Sequence, residues 1–234
     1  MAVVLGGGTG TRFGGTVPKQ LLTLGGKTLV EHCVAAFAAV PATVDGPGID
    51  EIVLVMPAAY HDEARRLVGP RVSAIIEGGA TRSDSVRKAL AHIAARYQPA
   101  STGVLIHDAA RPLVTQQVIA GCVRALGQHD AIGTAIPSSD TILSVADSAI
   151  THVPPRETLY RAQTPQGFRL SVIAEAHRRA AADPRFTPTD DCSVVLRYLP
   201  DVPVRVVPGS ERNIKVTYPG DLAVAEALLR LPEG

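Results

Sequence analysis

Short apolar runs alternate with stretches of helical periodicity along most of this chain. Runs rich in Val, Ile and Leu at Ala2–Leu5, Glu51–Met56, Val72–Glu77, Gly103–His107, Ala131–Pro137 and Pro203–Pro208 predict strands. Between them, Leu29–Val40, Tyr60–Val68, Arg82–Arg96 and Gln116–Gly127 read as helices. Strands that are apolar almost throughout and separated by helices predict a mostly parallel sheet covered on both faces, a doubly wound α/β domain. The segment "SSDTILSVADSAITHVPPRETLYR" from Ser138 to Arg161 breaks the alternation. Within it, Thr141–Val145 and Ala149–Val153 predict two short strands around Ala146-Asp147-Ser148. A lone hairpin is marginal in water, so this one must lean on something else, and a second subunit is the expected support. Asp221–Arg230 predicts a closing amphipathic helix, and no internal repeat or second core is evident. One domain over 1–234, with 138–161 as a protruding arm, is the expected organisation.

Composition narrows the function. The 234 residues are 46% apolar and 19% charged with a net charge of +1, enough for a core and too balanced for a nucleic-acid or membrane-binding stripe. Phosphate chemistry would therefore need locally placed cations. Cys33, Cys122 and Cys192 show no Cys-x-x-Cys spacing and predict buried free thiols. With no leader pattern and no apolar run near the ~18 residues of a membrane span, a cytoplasmic protein is expected.

In doubly wound sheets the ligand lies beyond the carboxyl ends of the strands. Gly6–Lys19, Gly78–Ser85, His107–Pro112 and the stretch after Val207 would share that rim. In "GGGTGTRFGGTVPKQ", Gly6, Gly7, Gly8 and Gly10 let backbone N–H groups turn toward an anion, Arg12 and Lys19 add cations, and Pro18 helps to aim Lys19. A polyphosphate suits this loop. A dinucleotide site would want an acidic residue at the end of the second strand, where Val55-Met56-Pro57 stands, and the Gly-Lys-Ser/Thr ending of a Walker loop is absent. "EGGATRSDSV" is a second glycine loop, in which Asp84 or Ser85 either caps a helix or helps to read a base. In "IHDAARPLV", Asp108 is placed either to hold a divalent cation or to pair structurally with Arg111, and His107 is expected to be structural. "GSERNIKVTYPGDL" offers Arg212 and Lys215 in one rim loop.

Together, Gly-Thr-Gly-Thr-Arg with Pro18-Lys19-Gln20, "GGATRSDSV", "HDAARP", "SDT", "QTPQGF", "TDD" and "NIKVT" make the chain resemble the 2-C-methyl-D-erythritol 4-phosphate cytidylyltransferase family. The resemblance implies a Rossmann-like nucleotidyltransferase fold with an extended β-hairpin arm, CTP and a polyol phosphate as substrates, Mg2+ or another divalent cation, and a homodimer joined by the 138–161 arm. It places Gly6, Gly7, Gly8, Gly10, Gly79, Ser85, Asp108 and Ala109 at CTP, with Asp108 near the metal. It makes Arg12 and Lys19 stabilisers of phosphate charge, gives Arg156 and Lys215 the acceptor phosphate, and sets Arg111, Thr141 and Thr189 at the polyol. Gly6-Gly7 departs from the two alanines more common in this family, and Gly-Gly-Thr-Gly is also similar to ribitol 5-phosphate cytidylyltransferases, the alternative reading. A non-catalytic nucleotide-binding module and an NAD-dependent oxidoreductase are the readings from other classes. The implied reaction is attack of the acceptor phosphate on the α-phosphorus of CTP with loss of pyrophosphate. The attacking group has a second pKa near ~6 and is largely dianionic at neutral pH, so no general base is needed.

Overall fold

The computed structural model describes residues 1–7, 18–40 and 48–232. The run Ala2–Leu5 forms β1, buried along its whole length. Two ribbon strands follow, β2 (Thr23–Leu24) and β3 (Lys27–Thr28), then α1 (Leu29–Ala38), β4 (Ile52–Met56), α2 (His61–Val68), β5 (Ala74–Glu77) and α3 (Arg82–Ala94). The chain continues through β6 (Gly103–Asp108), α4 (Gln116–Leu126), β7 (Ala131–Pro137), β8 (Ser144–Ala146), β9 (Ala149–His152), β10 (Tyr160–Arg169), α5 (Leu170–Ala181), α6 (Asp191–Tyr198), β11 (Arg205–Pro208) and α7 (Pro219–Arg230). The main sheet has the order β11-β7-β10-β6-β1-β4-β5. β1 pairs in parallel with β4 and β6, β4 with β5, and β7 with β11, whereas β10 runs antiparallel to both neighbours.

The period of two along the strands sorts their side chains between two cores. Ala2, Val4, Ile52, Leu54 and Met56 pack with α1, α2 and α4 on one face. Val3, Leu5, Val53 and Val55 pack with α3, α5 and α6 on the other. Sheet and helix positions expected from the pattern are thus met, with ends displaced by a few residues. The predicted buried thiols hold for Cys33 and Cys122, while Cys192 is only partly buried.

The sequence reading does not anticipate β10, α5 or α6. β10 carries Gln163-Thr164-Pro165-Gln166-Gly167, a composition that argues against an interior strand. The strand is nonetheless buried from Gln163 to Phe168 because its polar groups find partners. Gln166 Oε1 accepts from Asp191 and Cys192 N–H, and its Nε2 donates to Asp190. A register shift between Ala162 and Gln166 accommodates the Thr164-Pro165 step.

β8 and β9 form a separate two-stranded hairpin, shorter than expected. Asp147 and Ser148 turn it with φ of 48° and 63°, the left-handed values a tight two-residue turn demands. Residues 139–153 are exposed throughout.

Candidate active site

The carboxyl ends of β1, β5 and β6 open on a cavity of about 400 Å3, walled by Gly6, Gly7, Lys19, Gln20, residues 79–82, Ser85, residues 108–110 and Lys215. All four expected rim segments meet here. Gly8, Gly10 and Arg12 lie outside the described residues. At Gly6 a Cβ would stand 2.6 Å from Met56 Sδ and 3.0 Å from the Val55 carbonyl oxygen. Met56 at the end of β4 thus fills the space an alanine would use, which explains the glycine.

The second glycine loop is closed by its own helix start. Thr81, not Asp84 or Ser85, caps α3, and Asp84 completes a capping box with it. Ser85 Oγ accepts from Gly79 N–H at 3.0 Å and donates to the Thr81 carbonyl at 3.1 Å. A Cβ on Gly79 would overlap Asp84. Ser85 therefore shapes the loop against the cavity floor, 4% exposed.

Asp108 ends β6 with its carboxylate between two cations. Oδ1 accepts from Arg82 Nε at 3.0 Å and Oδ2 from Lys215 Nζ at 2.7 Å. Burial alone would push this carboxyl up, but Arg82 and Lys215 override it and hold Asp108 well below the usual carboxylate range. The alternative Asp108–Arg111 side-chain pair does not form. Arg111 instead donates to the carbonyls of Asn213 (2.7 Å) and Ala162 (3.0 Å), tying β10 to the loop that carries Lys215. Behind Arg82 stands Asp191, with Oδ2 at 2.8 Å from Arg82 Nη1 and Oδ1 at 2.9 Å from His177 Nε2. Burial would raise the Asp191 carboxyl too, and Arg82 with His177 lowers it.

His107 is structural, as expected. Its Nε2 faces the Arg111 carbonyl at 3.0 Å and so carries the proton, leaving Nδ1 to accept from Thr164 Oγ1 at 3.0 Å. Thr164 Oγ1 in turn accepts from Asp108 N–H. Burial drives the imidazole pKa down to about 4, so it stays neutral. Ala109 borders the cavity, its N–H bonded to the Leu5 carbonyl.

Other expected site residues lie elsewhere. Arg212 turns to the carbonyls of Leu231 and Pro232. Thr189 is exposed ahead of α6, with Oγ1 at 3.5 Å from Ser193 Oγ. Thr141 and Arg156 are exposed at the base of the hairpin, where Arg156 Nη2 donates to Thr141 Oγ1 at 3.0 Å. Arg82 and Gln20 on the cavity wall, and Asp191 buried behind Arg82, are polar residues to which the sequence reading gave no site role. Their signals were present in "ATRSDSV", "TDD" and "PKQ", but each motif has several polar residues and only the packing separates them.

A doubly wound sheet with a glycine-lined, cation-walled cavity at the carboxyl ends of its strands defines a nucleotide-using α/β transferase. Comparison with known proteins sharpens the class. The 2-C-methyl-D-erythritol 4-phosphate cytidylyltransferase family model matches residues 1–231, and the chain belongs to that family. A 2-C-methyl-D-erythritol 4-phosphate cytidylyltransferase of Thermobifida fusca is 51% identical, over 98% of this chain and 92% of that protein. A crystal structure of the 4-diphosphocytidyl-2C-methyl-D-erythritol synthase of Anaerococcus prevotii superposes with a TM-score of 0.83 at 27% identity, covering 98% and 95% of the two chains. A bifunctional ribulose 5-phosphate reductase/CDP-ribitol pyrophosphorylase of Haemophilus influenzae is 37% identical over 98% of this chain, which covers 48% of that protein. The activity of this chain is CTP-dependent cytidylyl transfer to 2-C-methyl-D-erythritol 4-phosphate, in isoprenoid biosynthesis.

Proposed function

We propose that the cavity holds the CTP phosphates and the reacting centre, and that a second copy of the chain completes the acceptor site. The observation that carries the first part is the convergence of Lys19, Arg82 and Lys215 on one space walled by two glycine loops. An oxygen of the acceptor phosphate attacks the α-phosphorus, the bond to the pyrophosphate oxygen breaks, and the chain's work is to align two anions that repel each other. Lys19 and Arg12 stabilise charge on the transferring and leaving phosphates, Gly6, Gly7 and Gly79 admit the nucleotide, and Ser85 keeps the second loop in shape. Lys215, parked on Asp108, turns to the acceptor phosphate.

Asp108 is the one carboxylate among the described residues of the cavity wall, and no described group of three or more His, Cys, Asp or Glu side chains is placed to hold a metal. A single carboxylate plus substrate phosphates is a normal magnesium environment, and each Asp108 oxygen keeps a lone pair after its cation contact. Asp108 with the CTP phosphates would hold the divalent cation, which when bound adds neutralisation of phosphate charge.

Thr141 and Arg156 are bonded to each other on an exposed hairpin and do not wall the cavity of their own chain. This supports a single domain whose 138–161 arm embraces a partner, with Arg156 delivered to the partner's acceptor site. No helix among the described residues is long and apolar enough to cross a membrane. A cytoplasmic location is part of the same proposal, and the free cysteines agree with a reducing compartment.

The test is pyrophosphate release with CTP, UTP or ATP against methylerythritol 4-phosphate and ribitol 5-phosphate. Release should require CTP and methylerythritol phosphate; turnover confined to ribitol phosphate would overturn the acceptor.

A further inference from the structure

We propose that Arg82 contacts a phosphate oxygen of the substrates, and that Asp191 with His177 is the buried pair that positions it. The inference rests on the cavity being the site where substrate phosphates bind. Arg82 opens α3 and walls that cavity. Its guanidinium is fixed from two sides: Nε donates to Asp108 Oδ1 at 3.0 Å, and Nη1 lies 2.8 Å from Asp191 Oδ2. The third nitrogen, Nη2, is buried and has no hydrogen-bond partner among the described residues.

A buried donor without a hydrogen-bond partner calls for an explanation, and this one belongs to a side chain that walls the cavity. Gln20, 3% exposed, leaves a second orphan, Nε2, at the same cavity. A ligand built of acceptors matches both, and the positive charge of Arg82 selects an anionic oxygen. Phosphate is that chemistry, from either the nucleotide or the acceptor.

The two cations on Asp108 are not equivalent. Lys215 is 42% exposed on a single stem and has no second carboxylate in contact among the described residues. Arg82 is anchored behind by Asp191, whose side chain is 1% exposed and whose other oxygen is engaged by His177. When Lys215 turns to a substrate, Arg82 keeps Asp108 neutralised without leaving its place. Asp191 touches no substrate in this arrangement; it acts by holding the guanidinium at the cavity wall.

The experiment measures KM for CTP at saturating acceptor, KM for the acceptor at saturating CTP, and binding of inorganic pyrophosphate by calorimetry. Arg82→Lys keeps the charge but cannot span two carboxylates and a phosphate at once. It should weaken one of the two substrates roughly 10- to 100-fold, as expected when a charge-assisted hydrogen bond is lost. A rise in the CTP constant with weaker pyrophosphate binding assigns the contact to the nucleotide; a rise confined to the acceptor constant assigns it to the acceptor phosphate. Asp191→Asn should raise the same constant, and the double variant should be no worse than Arg82→Lys, because the two residues act as one unit.

Both constants unchanged in a folded Arg82→Lys protein would overturn the contact. A lowered melting temperature and active fraction in Asp191→Asn, with no change in either constant, would overturn the positioning role. Should Arg82→Lys not fold, Asp191→Asn leaves the guanidinium in the chain and carries the test on the same constants. Failure of the wild-type protein to bind CTP would instead sink the cavity reading, so the two failures are distinguishable.

Discussion

The cavity and the hairpin treat their charged side chains in opposite ways. Around the cavity, Asp108 holds two cations, Arg82 spans two carboxylates, and Ser85 closes a loop, with most of these groups buried. On the hairpin, Arg156 has Thr141, and Val145, Ile150 and Val153 are 60%, 63% and 51% exposed. The cavity is preorganised by its own fold, so, if the phosphates react there as proposed, little reorganisation remains when charge moves between them. The hairpin is two short strands with an apolar surface and, among the described residues, no partner sheet, a structure that is marginal alone. On the function proposed above, the contrast means that the chain builds the nucleotide half of its site internally and presents the acceptor half outward.

The largest effect that sharpens this contrast is expected at Lys19. Lys19→Ala should cut turnover by about 10²–10³, the usual loss for one preorganised charge contact, with a smaller loss of CTP affinity. Single-turnover rates beside calorimetric CTP binding decide it; normal turnover with weak CTP binding would remove Lys19 from the chemistry.

Next in size is Arg156→Ala, which should raise KM for the acceptor roughly 10- to 100-fold through loss of a charged phosphate contact. CTP binding and melting temperature should hold, because the side chain is exposed and outside the cavity. A matching loss of CTP affinity would place Arg156 with the nucleotide.

A third prediction probes the buried floor of the cavity by pH. His107 has a folded pKa of about 4 against an ordinary value of 6.5, so the unfolded chain binds the proton first as pH falls. The stability this provides is complete above pH 6.5 and drains away toward pH 4, by about 3 kcal/mol at 1.36 kcal/mol per pH unit. Asp108 and Asp191, both held low, lose their contributions only as pH falls below the unfolded carboxylate value of about 4, beneath this window. Urea unfolding at several pH values should show the slope in the wild type and a flatter line in His107→Gln. Equal slopes would contradict the neutral, buried imidazole.

The smallest effect on the chain's own stability is expected on the arm. Ile150→Asp should change unfolding of the dissociated chain by no more than about 0.5 kcal/mol, as surface substitutions do, while sedimentation shows association lost. Unchanged association would break the reading of the hairpin as an interface.

How much of this was legible in the sequence follows the same divide. Apolar strands such as Val3-Val4-Leu5 and Ile52–Met56 announce themselves, and so do the glycine loops that follow them. β10 stayed hidden because its interior positions are Gln, Thr and Pro, whose burial depends on partners far away in sequence, such as Asp190 and Asp191 for Gln166. Arg82 stayed hidden for a related reason: its carboxylates come from positions 108 and 191, and no local spacing links them. Arg212 shows the converse, a cation in the right loop that the fold turns away from the cavity to the C-terminal carbonyls. An apolar strand can be read locally; a polar interior strand and the direction of a charged side chain cannot.

The central claim, that one chain supplies the nucleotide half and its partner the acceptor arm, is tested most directly by mixing two impaired variants and assaying them with the acceptor well below its KM, where each alone is nearly silent. Lys19→Ala and Arg156→Ala chains, differently tagged so that subunit exchange can be verified, are combined in equal amounts. If Arg156 serves the partner, each mixed dimer has one site with both residues intact and one with both defects. Random exchange makes about half the dimers mixed, so activity should return to about a quarter of wild type. If exchange is verified and activity does not return, Arg156 serves its own chain and the divided site is wrong.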